Sequence, residues 1–122
     1  MNKKWENTVT DCLFCKINNG EIPAEILYQD DDVTAFRDIS AQAPTHFLVI
    51  PKKHITTIND FENSDAELIG KMYLIVKKIC AEEGVWESGF RTVMNCNEDG
   101  GQTVFHVHLH VLGGRAMSWP PG

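Results

Sequence analysis

Hydrophobic and polar positions alternate most strictly near the C-terminus, where residues 106–112 read His106-Val107-His108-Leu109-His110-Val111-Leu112. In an extended chain successive side chains point to opposite faces, so three imidazoles share one face and Val107, Leu109 and Val111 the other. This alternation predicts a strand over residues 104–112. A second period lies upstream: Leu68, Ile69, Met72, Ile75, Val76 and Ile79 recur at i, i+3, i+4 and i+7, the mark of a helix with one apolar stripe. Its start is read at Ser64, with Glu67 three residues on completing a capping box, and its end at Gly84. Shorter apolar runs predict strands over residues 26–28, 33–36, 47–50 and 90–95. Asp30-Asp31-Asp32 forms the turn between the first two, Pro51 closes the third, and a loop with Asp99-Gly100-Gly101 joins the last pair. A short helix is expected over residues 12–19, capped by Asp11 and stopped by Gly20. Phe14, Phe61 and Trp86 are read as core or interface packing.

Short strands with tight turns, one long helix and a short N-terminal helix define an α+β fold with an antiparallel five-stranded sheet. The single stripe of the long helix covers one sheet face and leaves the other for chemistry. No repeat, low-complexity tract or linker divides the chain, so the expectation is a loose arm over residues 1–10 and one domain over 11–122. A chain of 122 residues builds a core without disulfide staples. The net charge of −6 argues against a nucleic-acid polymer or an anionic membrane as partner, and an anionic ligand needs a local site. The first six residues carry two lysines but no apolar run behind them, unlike a signal peptide. No stretch approaches the ~20 apolar residues of a membrane span. A cytoplasmic protein with four reduced cysteines is expected.

Three of the five histidines sit on one strand face, where a ring that needs polar partners has little structural purpose. Neighbours on that face are ~6.5 to 7 Å apart at the backbone. Two chemistries fit: His-x-His can chelate one metal, or one imidazole can act as nucleophile while the next binds or protonates a phosphate. Cys12-x-x-Cys15 is a metal or redox candidate in a reducing compartment, or else a pair of small apolar residues on an amphipathic turn. The redox reading lacks a surrounding βαβ pattern. Two thiolates with two imidazoles would make a closed tetrahedral zinc site of the structural kind. His46 and His54 lie at opposite ends of the third strand. Lys52 and Lys53 fit a phosphate contact or a solvated strand end.

The triad followed by Gly113-Gly114-Arg115 and Trp119-Pro120-Pro121-Gly122 resembles the histidine-triad (HIT) superfamily, and within it the Hint branch of purine nucleoside phosphoramidases. Phe36-Arg37-Asp38-Ile39, Ala43-Pro44-Thr45-His46, Pro51-Lys52-Lys53-His54-Ile55 and Asp99-Gly100-Gly101-Gln102 resemble the family in the same order, and the likeness spans residues 11–122. It implies a homodimer whose protomers join their sheets, with a purine nucleoside monophosphate or phosphoramidate bound in each. By position, His108 resembles the nucleophile that forms a nucleotidyl-histidine, and His110 and His46 the residues that line the phosphate and assist proton movement. Asn95 matches a phosphate-side donor, and Gly101, Gln102 and Thr103 the loop at the phosphate and leaving group. Asp38 matches the acceptor of the ribose hydroxyls, Ile39 a contact to sugar and base, and Trp119 a residue reaching the partner's site. Some members resemble this chain in a zinc pair completed by the histidines at positions 54 and 106, which implies a structural Zn²⁺ on Cys12, Cys15, His54 and His106.

Two departures stand out. Thr103 occupies a position where serine is usual, adding a methyl on the leaving-group side. Cys96 follows Asn95 directly with no assigned role, nor is one assigned to Cys80; by strand alternation Cys96 points away from the phosphate. Competing readings are a metal-dependent hydrolase using the triad strand, a dinucleoside polyphosphate hydrolase and a non-catalytic nucleotide-binding adaptor. A nucleotidyltransferase resembling galactose-1-phosphate uridylyltransferase usually has glutamine where His110 stands.

Overall fold

The structure, a computed structural model, describes residues 11–122; the arm expected over residues 1–10 lies outside the described residues. A short helix α1 (Leu13–Asn18) leads into β1 (Ile26–Gln29), β2 (Val33–Arg37) and β3 (Thr45–Pro51). Two single 3-10 turns, Ile58–Asp60 and Asn63–Asp65, precede the long helix α2 (Ala66–Glu82). Then come β4 (Phe90–Val93), a one-turn helix α3 (Asn97–Gly100) and β5 (Leu109–Gly113). The five strands pair antiparallel throughout, in the order β1-β2-β3-β5-β4.

Alternation sorts the central strands. Val33 and Ala35 of β2, Phe47 and Val49 of β3, and Leu109 and Val111 of β5 pack in one cluster with Met72, Ile75, Val76, Ile79 and Cys80 of α2. The predicted helical stripe is thus the surface that covers the sheet. The opposite face is not left bare. Phe36, Leu48 and Ile50 pack there under Cys12, Phe14, Cys15 and Ile17 of the α1 segment. What remains of that face, beyond the edge of α1, carries His108 and His110.

Several expected boundaries move, each for a local reason. β5 begins at Leu109 and not at residue 104, because Val107 donates its N–H to the Ile55 carbonyl (2.8 Å) beyond β3. His106 and His108 therefore sit in the approach to the strand, and only His110 lies within it. Leu109 and Val111 still face the helical core, whereas His106 and His108 are buried on the α1 side beside Phe14. α2 starts at Ala66, not at Ser64. The capping boxes lie earlier, at Thr57 with Asp60 and at Glu62 with Asp65, so Ser64 falls inside a turn. α1 is capped by Cys12, whose Sγ accepts the Cys15 N–H at 3.3 Å, and not by Asp11. β4 stops at Val93, and the loop expected after it contains α3. The reading of Cys96 by strand alternation lapses with it, since Cys96 caps α3. Trp86, expected in packing, is exposed, Phe61 is half-buried, and Phe14 is buried as expected.

Candidate active site and metal centre

Cys12 and Cys15 stand one turn apart at the start of α1, which turns both sulfurs the same way. His54 follows β3 and His106 precedes β5, and the topology brings these ends under α1. The ligand atoms of Cys12, Cys15, His54 and His106 all lie within 4.8 Å of one another. Cys12 Sγ is 3.3 Å from His106 Nδ1, Cys15 Sγ 3.3 Å from His54 Nδ1 and 3.5 Å from His106 Nδ1. The imidazoles are set up for this. His106 Nε2–H donates to the Pro51 carbonyl at 2.8 Å, which leaves the Nδ1 lone pair facing the sulfurs, the usual outer support of a metal-bound histidine.

The electrostatics agree with a cation's place. Burial, with Cys12 adjacent, pushes the Cys15 thiol up to about 12, while burial pulls His106 down to about 4 and lowers His54. Without a cation the Cys15 thiol and the two imidazoles are neutral. A divalent ion reverses this by drawing protons off the thiols. The donor set and its burial fit a metal ion held by four side chains.

The second arrangement lies past the edge of α1. A cleft of about 260 Å³ is lined on the apolar side by Leu13, Phe14 and Ile17 of α1 with Phe36 and Leu48, and on the polar side by Asp38, Thr103, His108 and His110. His108 Nδ1–H donates to the His106 carbonyl at 2.8 Å, so the lone pair sits on Nε2. Burial lowers the His108 pKa and keeps this ring neutral. On the neighbouring strands the register sets His46 opposite Leu112 and His110 opposite Leu48, a diagonal pair on one face. Their ring nitrogens, His46 Nε2 and His110 Nδ1, are 3.0 Å apart.

The direction of that hydrogen bond is fixed from behind. Gln42 donates its backbone N–H to His46 Nδ1 at 2.9 Å, so the His46 proton is on Nε2 and is donated to His110 Nδ1. His110 then carries its own proton on Nε2. Asp38 Oδ2 stands beside both rings, 3.4 Å from His46 Nε2 and 3.8 Å from His110 Nδ1, and its Oδ1 accepts the Ser40 N–H. Burial pulls His110 down to about 4, with His108 and His46 adding to it. Asp38, His46 and His110 are also close enough to hold a metal, but metal binding at His46 Nε2 would move its proton to Nδ1, against the Gln42 N–H. The trio is joined by a hydrogen bond whose direction the Gln42 N–H sets.

The remaining expected residues are placed as follows. Ile39 is fully exposed at the cleft rim. Gly101 and Gln102 spend their backbone N–H groups on Glu98 and Asn97 carbonyls in the cap of α3. The Gln102 side chain is buried, donating to the Thr56 and Val104 carbonyls and accepting from the Asn97 N–H; it braces the loop. Thr103 lines the cleft and is the exposed end of that loop. Asn95 is half-buried and is not among the residues that line the cleft. Trp119 is 81% exposed and lies under Arg91 of β4, 6.0 Å from ring centroid to guanidinium carbon, away from this chain's cleft. Lys53 is paired with Asp65 at 2.7 Å. Sequence reasoning missed Gln42 and Phe14 as site residues. Gln42 acts through its backbone, which no side-chain pattern reveals.

The sequence profile of the HIT domain matches residues 19–117. The chain belongs to the HIT domain family. Among its relatives, the purine nucleoside phosphoramidase of Escherichia coli K12 is 50% identical over 107 residues, covering 88% of this chain and 90% of the relative. A HIT family hydrolase from Legionella pneumophila superposes with a TM-score of 0.90 at 57% identity, over 91% of this chain and 99% of the other. A histidine triad protein from Clostridium difficile gives 0.86 at 44% identity, over 88% and 94%. The five-stranded antiparallel sheet with its long and short helices is the fold shared by this HIT domain and those two solved structures. No described helix is long and apolar enough to cross a membrane.

Proposed function

We propose that this chain hydrolyses purine nucleoside 5′-phosphoramidates at the α-phosphorus through a nucleotidyl-His108 intermediate. The observation that carries it is the pair of opposed tautomers in one cleft: His108 presents a lone pair at Nε2, and His110 presents a proton at Nε2. A nucleophile and a donor to the phosphate oxygens thus stand side by side, their ring centroids 5.0 Å apart. The name of the E. coli relative supplies the substrate class.

His108 Nε2 attacks phosphorus, the bond to the amine nitrogen breaks, and the amine leaves with a proton drawn from water on the open Thr103 side. The ring becomes cationic on forming its N–P bond, and the His106 carbonyl on Nδ1–H offsets that charge. His110 Nε2–H stabilises the phosphate oxygens, and His46 holds His110 in that state. Water then attacks phosphorus, its proton neutralising the hydroxide left when the amine was protonated, neutral His108 departs, and the nucleoside monophosphate is released. Asp38 accepts from the ribose hydroxyls, Ile39 and the apolar wall of α1 receive sugar and base, and Asn95 and the residues 101–103 loop border the phosphate. Within that loop the Thr103 N–H and hydroxyl are the groups not already spent on the α3 cap.

The metal assigned to Cys12, Cys15, His54 and His106 is Zn²⁺, matching two thiolates and two imidazoles; bound there it supplies cross-linking rather than Lewis acidity. The assembly is a homodimer joined at the sheet edge, where β4 carries the exposed Phe90 and Trp119 reaches the partner's cleft. The compartment is the cytoplasm, where the four free thiols stay reduced.

His108→Ala is expected to cut phosphoramidate turnover by on the order of a thousandfold or more while nucleoside monophosphate binding persists. Mass spectrometry of protein quenched in alkaline denaturant, which preserves the N–P bond, should show the nucleotide on His108. Retained turnover in the variant overturns the assignment, and a substrate panel preferring dinucleoside polyphosphates moves the activity to that neighbouring class.

A further inference from the structure

We propose that occupancy of the metal centre and occupancy of the nucleotide cleft are coupled through α1, with the Phe14 ring carrying the coupling to His108. This rests on the reading of the cleft given above. α1 divides its few residues between the two sites: Cys12 and Cys15 face His54 and His106, whereas Leu13, Phe14 and Ile17 line the cleft. A helix of six residues is far too short to stand by itself. It is held by apolar contact with Phe36, Leu48 and Ile50 and by whatever joins two sulfurs to two imidazoles. Removing the second anchor leaves one wall of the nucleotide cleft resting on the first alone.

Phe14 is placed to report that change. Its ring stands edge-on to His106 at 6.0 Å, to His108 at 5.0 Å and to Phe36 at 5.6 Å between centroids. It touches a metal ligand, the nucleophile and the apolar wall at once. The hydrogen bond from His108 Nδ1–H to the His106 carbonyl sets the tautomer but fixes the ring at one point; the edge of Phe14 fixes its plane. In a close-packed interior a shift of α1 passes to that plane directly. Nucleotide entering a clamped cleft orders less than nucleotide entering a loose one, and linkage makes the effect mutual.

The test uses zinc-loaded protein and adenosine or guanosine monophosphate. Calorimetric titration before and after stripping the metal should show nucleotide affinity falling about fivefold or more. In equilibrium competition against a chromogenic chelator, saturating nucleotide should raise apparent zinc affinity by the same factor. Phe14→Ala should keep one zinc per chain and bring both ratios to one. Equal nucleotide affinity in loaded and stripped protein overturns the coupling, and a Phe14→Ala variant with the full ratio overturns the role of that ring. If stripped protein loses its circular dichroism, the chelator competition on folded, loaded protein decides. Loaded protein that binds no nucleotide sinks the reading of the cleft and the coupling with it; binding without metal dependence sinks the coupling alone.

Discussion

Four of the five histidines around the cleft and metal centre differ in what their Nδ1 meets. His106 turns it to sulfur, His108 gives its proton to a carbonyl, His46 accepts a backbone N–H, and His110 accepts from His46. The shared direction of their pKa shifts is a result of burial, and it has a measurable sign. A ring whose folded pKa is depressed stays neutral, hence nucleophilic, below the ordinary value of 6.5. Turnover is expected to be flat from pH 8 through 6.5 and to fall only at lower pH, which a kcat/KM profile checks; a midpoint at 6.5 would contradict it. Stability follows the same linkage. For His110, the unfolded chain takes up a proton near 6.5 while the folded ring resists to about 4. Folding free energy is therefore full above 6.5 and declines as pH falls between those values, visible in denaturant midpoints across that range.

At the scale of elements, the order of structure was legible where burial imposes a period and illegible where single hydrogen bonds decide. Met72, Ile75, Val76 and Ile79 announce α2, and Val107, Leu109 and Val111 the final strand, because each set has a core to face. The 3-10 turns rest on Thr57 with Asp60 and Glu62 with Asp65, spacings that many loops share. The Ser64 and Glu67 spacing mimicked that signal a few residues late. α3 is held by the buried Gln102 amide, whose role appears only once the loop has closed on it. Gly114 is a position where the chain needs glycine: φ is +90° and an added Cβ would lie 2.9 Å from Pro44 Cβ. Gly114→Ala should destabilise by about 1–3 kcal/mol, read as a lowered denaturant midpoint. Arg37 ties the end of β2 to the end of α2 through two bonds to Glu83, at 2.7 and 2.9 Å, beside Asp38 at the cleft.

For the whole molecule, the metal centre joins segments far apart in sequence, with residues 12 and 15 meeting 54 and 106. An ion held there would close long loops that the unfolded chain leaves open, so its binding would add directly to folding free energy. Chelation of zinc is expected to lower the melting temperature by roughly 10 °C, or about 2–3 kcal/mol, in differential scanning calorimetry. An unchanged melting temperature would show that the four residues hold no ion in solution. The partition of the three alternating histidines between this centre and the cleft was readable only through resemblance. Spacing alone leaves metal and nucleophile equally open, because both need the same face of the same segment.

The bond from His108 to position 106 ends on a main-chain oxygen. Any amino acid at 106 supplies that oxygen, so the tautomer of the His108 imidazole is indifferent to which side chain stands there. The ligand shell can drift, lose its ion or be rebuilt with apolar residues without erasing the proton address on the neighbouring ring. Metal dependence can therefore be gained or shed along a lineage in small sequence steps, none of which has to pass through a form with the wrong nitrogen exposed.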